Sequence, residues 1–302
     1  MKTEGKQAQR WRKLITGLLL ITLSVVTACQ PIQPPTASAP AATIPEVTIE
    51  VNDTEFTIPD NFPGGIVSVT IKNTGSKDLD VGFSRVREGT SIEQVQELGQ
   101  NVMENLPALL QQLGFMVSFN PVPAGGSEQA IIDFKTGQFM LDASEHVEEE
   151  TPPGWPRFYG VFTADEIVGT VEPQTDVKVE MADFAYIMPD EIKAGKQLWQ
   201  FHNTGKQWHM QFFLKPASGA TIDDVMAALA AEGEPSGPPP FEFVPAAGIA
   251  PISEGERLWL EVDLAPGTYI AGCPIPDIAT LTGGGPPTSH LEHGMHRVLT
   301  VK

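Results

Sequence analysis

The chain holds two cysteines, and their settings differ. Cys29 sits where a bacterial lipoprotein export signal uses one, which leaves Cys273 as the only thiol of the mature protein. An unpaired thiol is unusual outside the cytoplasm, where cysteines are paired or absent. Downstream lies the run His290-Leu-Glu-His293-Gly-Met295-His296, and a further histidine stands far upstream. A lone thiolate with imidazoles and a thioether is the ligand set of a mononuclear copper site.

Such ligands need a rigid frame, and an internal repeat supplies one. Pro59, Gly65 and Asn73-Thr74-Gly75 recur at one constant offset as Pro189, Gly195 and Asn203-Thr204-Gly205. Gly89 and Ile92 recur at the same offset as Gly219 and Ile222, and Gly137 recurs as Gly267. Three separated blocks at one offset predict two homologous domains, residues 45–173 and 174–302. Short stretches such as Val47–Val51, Ile66–Ile71, Val177–Met181, Leu198–Phe201, Leu258–Val262 and Arg297–Val301 alternate apolar with polar residues between turn formers. They read as strands. One helix is expected per repeat. Ser91 caps the first, and Thr221 with Asp224 caps the second, which Gly233 ends. The fold class is therefore all-β, two tandem β-sandwiches with one inserted helix each.

The second repeat resembles the cupredoxins, the blue-copper domains of plastocyanin and azurin type. The resemblance rests on Asn203-Thr-Gly-Lys-Gln-Trp-His209, on Pro266-Gly-Thr-Tyr-Ile-Ala-Gly-Cys273 with Ile275-Pro276-Asp277, and on His290-x4-Met295 before the final strand. It covers nearly all of residues 174–302. It implies Greek-key sandwiches and one type-1 copper held by His209, Cys273, His290 and Met295. Sixteen residues, Pro274 to Ser289, separate Cys273 from His290, more than in plastocyanin-like proteins. The long loop keeps His293 open as the alternate ligand.

The first repeat serves as an internal control. At the equivalent positions it carries Leu79, Ala143, Pro156 and Val161, none of them a copper ligand. That domain is expected to be copper-free.

Ahead of the repeats, Lys2, Lys6, Arg10, Arg12 and Lys13 precede a short apolar run from Leu14 to Val26, and then Val-Thr-Ala-Cys29. Residues 1–28 read as a lipoprotein signal peptide with Cys29 as the lipidated residue. Residues 29–44, rich in Pro, Ala and Thr, read as a tether. The expected location is extracytoplasmic, lipid-anchored, facing a periplasm or the cell surface. Without residues 1–28 the chain has 14 Lys and Arg against 37 Asp and Glu, a net charge of −23. That charge disfavours nucleic acid and favours a redox partner with a basic surface.

The expected function is a membrane-tethered one-electron carrier, not an enzyme. Copper oxidases need additional paired histidines, and this chain has six histidines and no His-x-His pair. Copper storage or delivery, or a metal-free ligand-binding or structural sandwich, are the alternatives.

Overall fold

Period-two alternation sets the strands. In Glu46–Val51 (β1), Val47, Ile49 and Val51 turn inward while Glu46 and Thr48 face solvent. The computed structural model describes residues 43–147, 157–229, 237–244, 248–283 and 288–302. The signal, Cys29, nearly all of the tether, Pro156 and Gly233 lie outside them. The first repeat continues with β2 (Phe56–Thr57), β3 (Phe62–Asn73), β4 (Leu79–Val86), β5 (Leu113–Val122), β6 (Ser127–Phe134), β7 (Gly137–Glu145) and β8 (Phe158–Gly169). The second holds β9 (Val177–Ala182), β10 (Ala185–Ile187), β11 (Glu191–Ile192), β12 (Gly195–Asn203), β13 (His209–Pro216), β14 (Phe241–Phe243), β15 (Ile249–Ile252), β16 (Arg257–Leu264), β17 (Gly267–Gly272) and β18 (His296–Val301).

In each repeat two layers of strands face one another. In the first repeat both layers belong to one sheet, because β3 pairs with β6 on one side and with β8 on the other, and the order runs β6-β3-β8-β7-β4-β5 with β1 beside β3 and β2 beside β1. In the second, β10-β9-β12-β16 faces a separate sheet, β11-β18-β17-β13-β14, with β15 beside β13. Phe134 of β6 meets Phe139 of β7 edge to face at 5.2 Å, and Trp199 of β12 meets Phe213 of β13 at 5.8 Å. Those aromatic pairs fill the two interiors. The architecture is all-β.

The repeat extends to single hydrogen bonds. The Asn73 side-chain amide donates to Lys77 O and Val122 O, at 2.7 and 3.0 Å. Asn203, its counterpart in the second repeat, donates to Gln207 O and Ile252 O at 2.7 and 2.8 Å. Gly65 and Gly195 both hold positive φ, 85° and 90°. Only glycine adopts that conformation without strain.

The repeats also share a sheet. β6 pairs antiparallel with β16 through Ile132–Leu258 and Ile131–Trp259. Ser253 N donates to Phe115 O at 2.8 Å, and Phe115 N returns the bond to Ser253 Oγ at 3.0 Å. Across the same contact Arg85 grips Glu256, whose side chain is 1 % exposed. Burial pushes the Glu256 carboxyl above its ordinary range, and Arg85 opposes that shift. Arg85→Ala strands a buried charge, so about 3 kcal/mol of stability should be lost in urea unfolding at pH 8. A carboxyl raised in the folded state costs stability as pH climbs past its unfolded value, so the loss should shrink toward pH 5.

The first repeat carries more helix than the sequence suggested. After α1 (Ile92–Leu98), whose Ser91 Oγ accepts from Gln94 N at 3.3 Å, comes α2 (Val102–Gln112). Pro107 lies inside α2 and reads in sequence as a breaker. Buried Leu106 and Leu109 and the bond from Asn105 Nδ2 to Leu98 O, 2.9 Å, hold the segment helical regardless. In the second repeat α3 (Ile222–Leu229) has the expected capping box, with Thr221 N and Asp224 N each bonded to the other's side chain at 2.7 and 3.2 Å. A further short helix, α4 (Ile278–Gly283), occupies the loop between Cys273 and His290.

Candidate metal centre

Strand ends and one loop define the site. His209 is the first residue of β13, Cys273 follows β17, and Met295 precedes β18. The turn ahead of His209 is fastened twice: by Asn203, and by Asp183, whose Oδ1 accepts from Lys206 N and Gln207 N at 2.9 and 3.0 Å. The same Asp183 oxygen lies 3.2 Å from His209 Nε2. With the far nitrogen so occupied, Nδ1 of His209 points inward.

The long loop returns through a narrow neck. Pro276 and Ser289 form a β-bridge, Asp277 N donates to Thr288 O at 2.8 Å, and His290 N donates to Ile275 O at 2.9 Å. The intervening residues thus leave and re-enter close to the site. Past His290, Met295 N donates to His290 O at 2.9 Å, and Cys273 N donates to Met295 O at 3.2 Å. Gly294, at φ 91°, makes that reversal.

The donor atoms converge. His209 Nδ1 and His290 Nδ1 are 3.1 Å apart, and His290 Nδ1 is 3.3 Å from Cys273 Sγ. The ligating atoms of all three residues lie within 4.8 Å of one another, and all three side chains are buried. Donors this close together could be reached by one small ion. Met295 is fully buried, and its backbone is bonded to those of His290 and Cys273. The donor set is that of a type-1 copper centre.

Electrostatics agree with a metal site. Burial pushes the Cys273 thiol up to about 11, against the amides of Met210 and Ile275 and the Tyr186 hydroxyl. Burial, then the neighbouring His209, takes His290 down to about 4. Burial also lowers His209, against the pull of Asp183. At neutral pH both imidazoles are therefore neutral and able to donate a lone pair. His290 Nε2 is buried without a hydrogen-bond partner among the described residues.

His293 lies elsewhere. Its Nε2 is 3.6 Å from Asp277 Oδ2, its side chain is 37 % exposed, and its ring packs on Phe184 at 4.5 Å. Phe184 also covers His290 edge-on at 5.1 Å, from a backbone at φ 62° that a phenylalanine rarely adopts. In the first repeat the equivalent positions hold Leu79 and Ala143, both buried, and Val161, which is exposed.

Two contributors were absent from the sequence reading. Phe184 left no signal, since its role depends on a turn conformation. Asp183 did leave one: its counterpart in the first repeat, Asp53, makes the same bonds to Ser76 N and Lys77 N at 2.9 and 3.2 Å.

No family model matches the chain, and no curated protein matches it in sequence. Solved structures do. Dithionite-reduced auracyanin from the photosynthetic bacterium Roseiflexus castenholzii is 21 % identical over 43 % of this chain and 99 % of its own, with a TM-score of 0.28. Auracyanin A, a blue copper protein of Chloroflexus aurantiacus, is 18 % identical over 41 % of this chain and 96 % of its own, TM-score 0.25. The copper-containing nitrite reductase of Thermus scotoductus is 13 % identical over 86 % of this chain and 62 % of its own, TM-score 0.22. Likenesses this distant carry no argument about the site, which stands on its own geometry.

Proposed function

We propose that this protein is an extracytoplasmic one-electron carrier, with a single copper held by His209, Cys273, His290 and Met295. The observation that carries the reading is the buried convergence of His209 Nδ1, His290 Nδ1 and Cys273 Sγ. Copper bound by a thiolate, two imidazoles and a thioether supplies a one-electron couple. The chain's part is to hold the donors in place. Strand ends fix His209 and Cys273, the loop neck fixes His290, and Asp183 fixes the His209 ring, so little need move when an electron does.

Several features support the wider reading. Attachment through a lipid on Cys29 rests on the basic and apolar run ahead of Val-Thr-Ala-Cys29. The acidic balance suits a partner with a basic surface. A carrier is preferred to an oxidase because the histidines are too few for further paired copper sites. Storage is not favoured, since His293 stands apart from the three converging donors.

Electron carriage is tested by cycling. Ascorbate should bleach the loaded protein and a mild oxidant should restore the colour without loss of copper. Copper released on each reduction would contradict the carrier reading.

Two further results are expected. The thiol carries a proton at neutral pH while both imidazoles do not, so loading should release about one proton per copper, and apparent affinity should rise roughly tenfold per pH unit between about pH 6 and 9. Proton release measured in weak buffer checks this. Asp183→Asn should weaken copper binding by about 10–100-fold in competition with a chelator, because it removes the carboxylate that orients His209.

A further inference from the structure

A cavity of about 510 Å³ lies where the first repeat meets the metal loop of the second. We infer that it is a binding site for a neutral, largely apolar small molecule that presents a hydrogen-bond acceptor to Tyr159. The cavity is partly open to solvent, which gives a small molecule a way in. Its volume falls within the range of small-molecule sites, about 300–1,000 Å³.

Its walls state the ligand's chemistry. Phe83, Val95, Leu109 and Met140 are all buried and give an apolar body. Helices α1 and α2 line one side of it through Val95, Val102, Leu106 and Leu109. One polar atom is left over. The Tyr159 hydroxyl is buried and has no hydrogen-bond partner among the described residues. Burial, reinforced by the Asp142 carboxylate, raises its ionisation, so it remains a neutral O–H donor. Gly99, at the junction of the two helices, makes room for it, since a Cβ there would lie 2.5 Å from the hydroxyl oxygen. An unpartnered buried hydroxyl costs about 1–3 kcal/mol, which a ligand carbonyl would recover.

The charged groups in the wall argue for neutrality. Asp80 is paired with His146 at 2.8 Å, and Asp142 with Arg157 at 2.5 Å. Asp142 is already neutralised by Arg157, and an anion would meet the Asp80 carboxylate. The far wall includes Trp208, next to His209 in the chain, and Ile275, two residues after Cys273.

Prodan, a neutral naphthalene ketone whose emission moves to the blue in apolar surroundings, is a suitable probe. Titrated into copper-free protein, it should bind saturably at one per chain with blue-shifted emission. Tyr159→Phe should weaken binding about five- to tenfold by removing the donor. Leu109→Trp, which fills the cavity, should weaken it by more than tenfold, and Val95→Phe serves the same end should the first variant fail to fold. Absence of saturable binding would overturn the inference, as would unchanged affinity in folded Tyr159→Phe and in a folded cavity-filling variant. No copper is present in the experiment, so its outcome is independent of the metal-site reading.

Discussion

Cys273→Ser should abolish the intense visible absorption of the copper-loaded protein altogether, while leaving the fold intact. The band arises from charge transfer between a thiolate and copper, and Cys273 is the one free thiol among the described residues. A serine hydroxyl is isosteric enough to keep the packing, but it is a poor copper ligand at neutral pH. Residual binding through His209 and His290 would be colourless and weaker by several orders of magnitude. The serine variant should also lose the proton release that accompanies loading, since both imidazoles are already neutral in the wild type. Absorption spectra with metal analysis check the first result. Retained colour in the variant would place the thiolate outside the copper centre.

The second large effect is a contrast between two histidines of one loop. His290→Ala should lower copper affinity more than a hundredfold, because it removes a donor 3.1 Å from one ligand and 3.3 Å from another. His293→Ala should change it less than about threefold, since that ring is outside the cluster and its nearest carboxylate is the Asp277 oxygen at 3.6 Å. Chelator competition on both variants reads the difference directly. Equal losses would mean that the loop rearranges on loading and brings in His293.

The contrast also shows how much of the site could be read from sequence. Cys273, His290 and Met295 were legible because their side chains are chemically rare and lie close together in the chain. His209, far upstream, became legible only through the repeat and the family resemblance that its turn carries. The His290-x4-Met295 spacing favoured His290 over His293 in sequence, but the neck at Pro276 and Ser289 that returns His290 to Cys273 joins residues that leave no periodic signal. Asp183 recurs from Asp53 at the repeat offset, but its contact with His209 exists only once the β9–β10 turn lies beside the β12–β13 turn.

The fold shows the same division. Alternation in β1 and β9 and the capping box of α3 are local, and local pattern is what a sequence displays. The β6–β16 pairing is not local. Either edge could have faced solvent; the Ile132–Leu258 and Ile131–Trp259 register joins the repeats into one sheet, and the Arg85–Glu256 pair and the Ser253–Phe115 bonds tie them further. Helix α2 contains Pro107, a local penalty that burial of Leu106 and Leu109 outweighs.

Adding Cu(II) stepwise to the copper-free protein, with visible absorption recorded at each step, tests the central claim most directly. An intense band that grows linearly and stops at one copper per chain is the predicted result. A colourless titration, or one with no endpoint near one, would contradict a copper centre built from His209, Cys273 and His290.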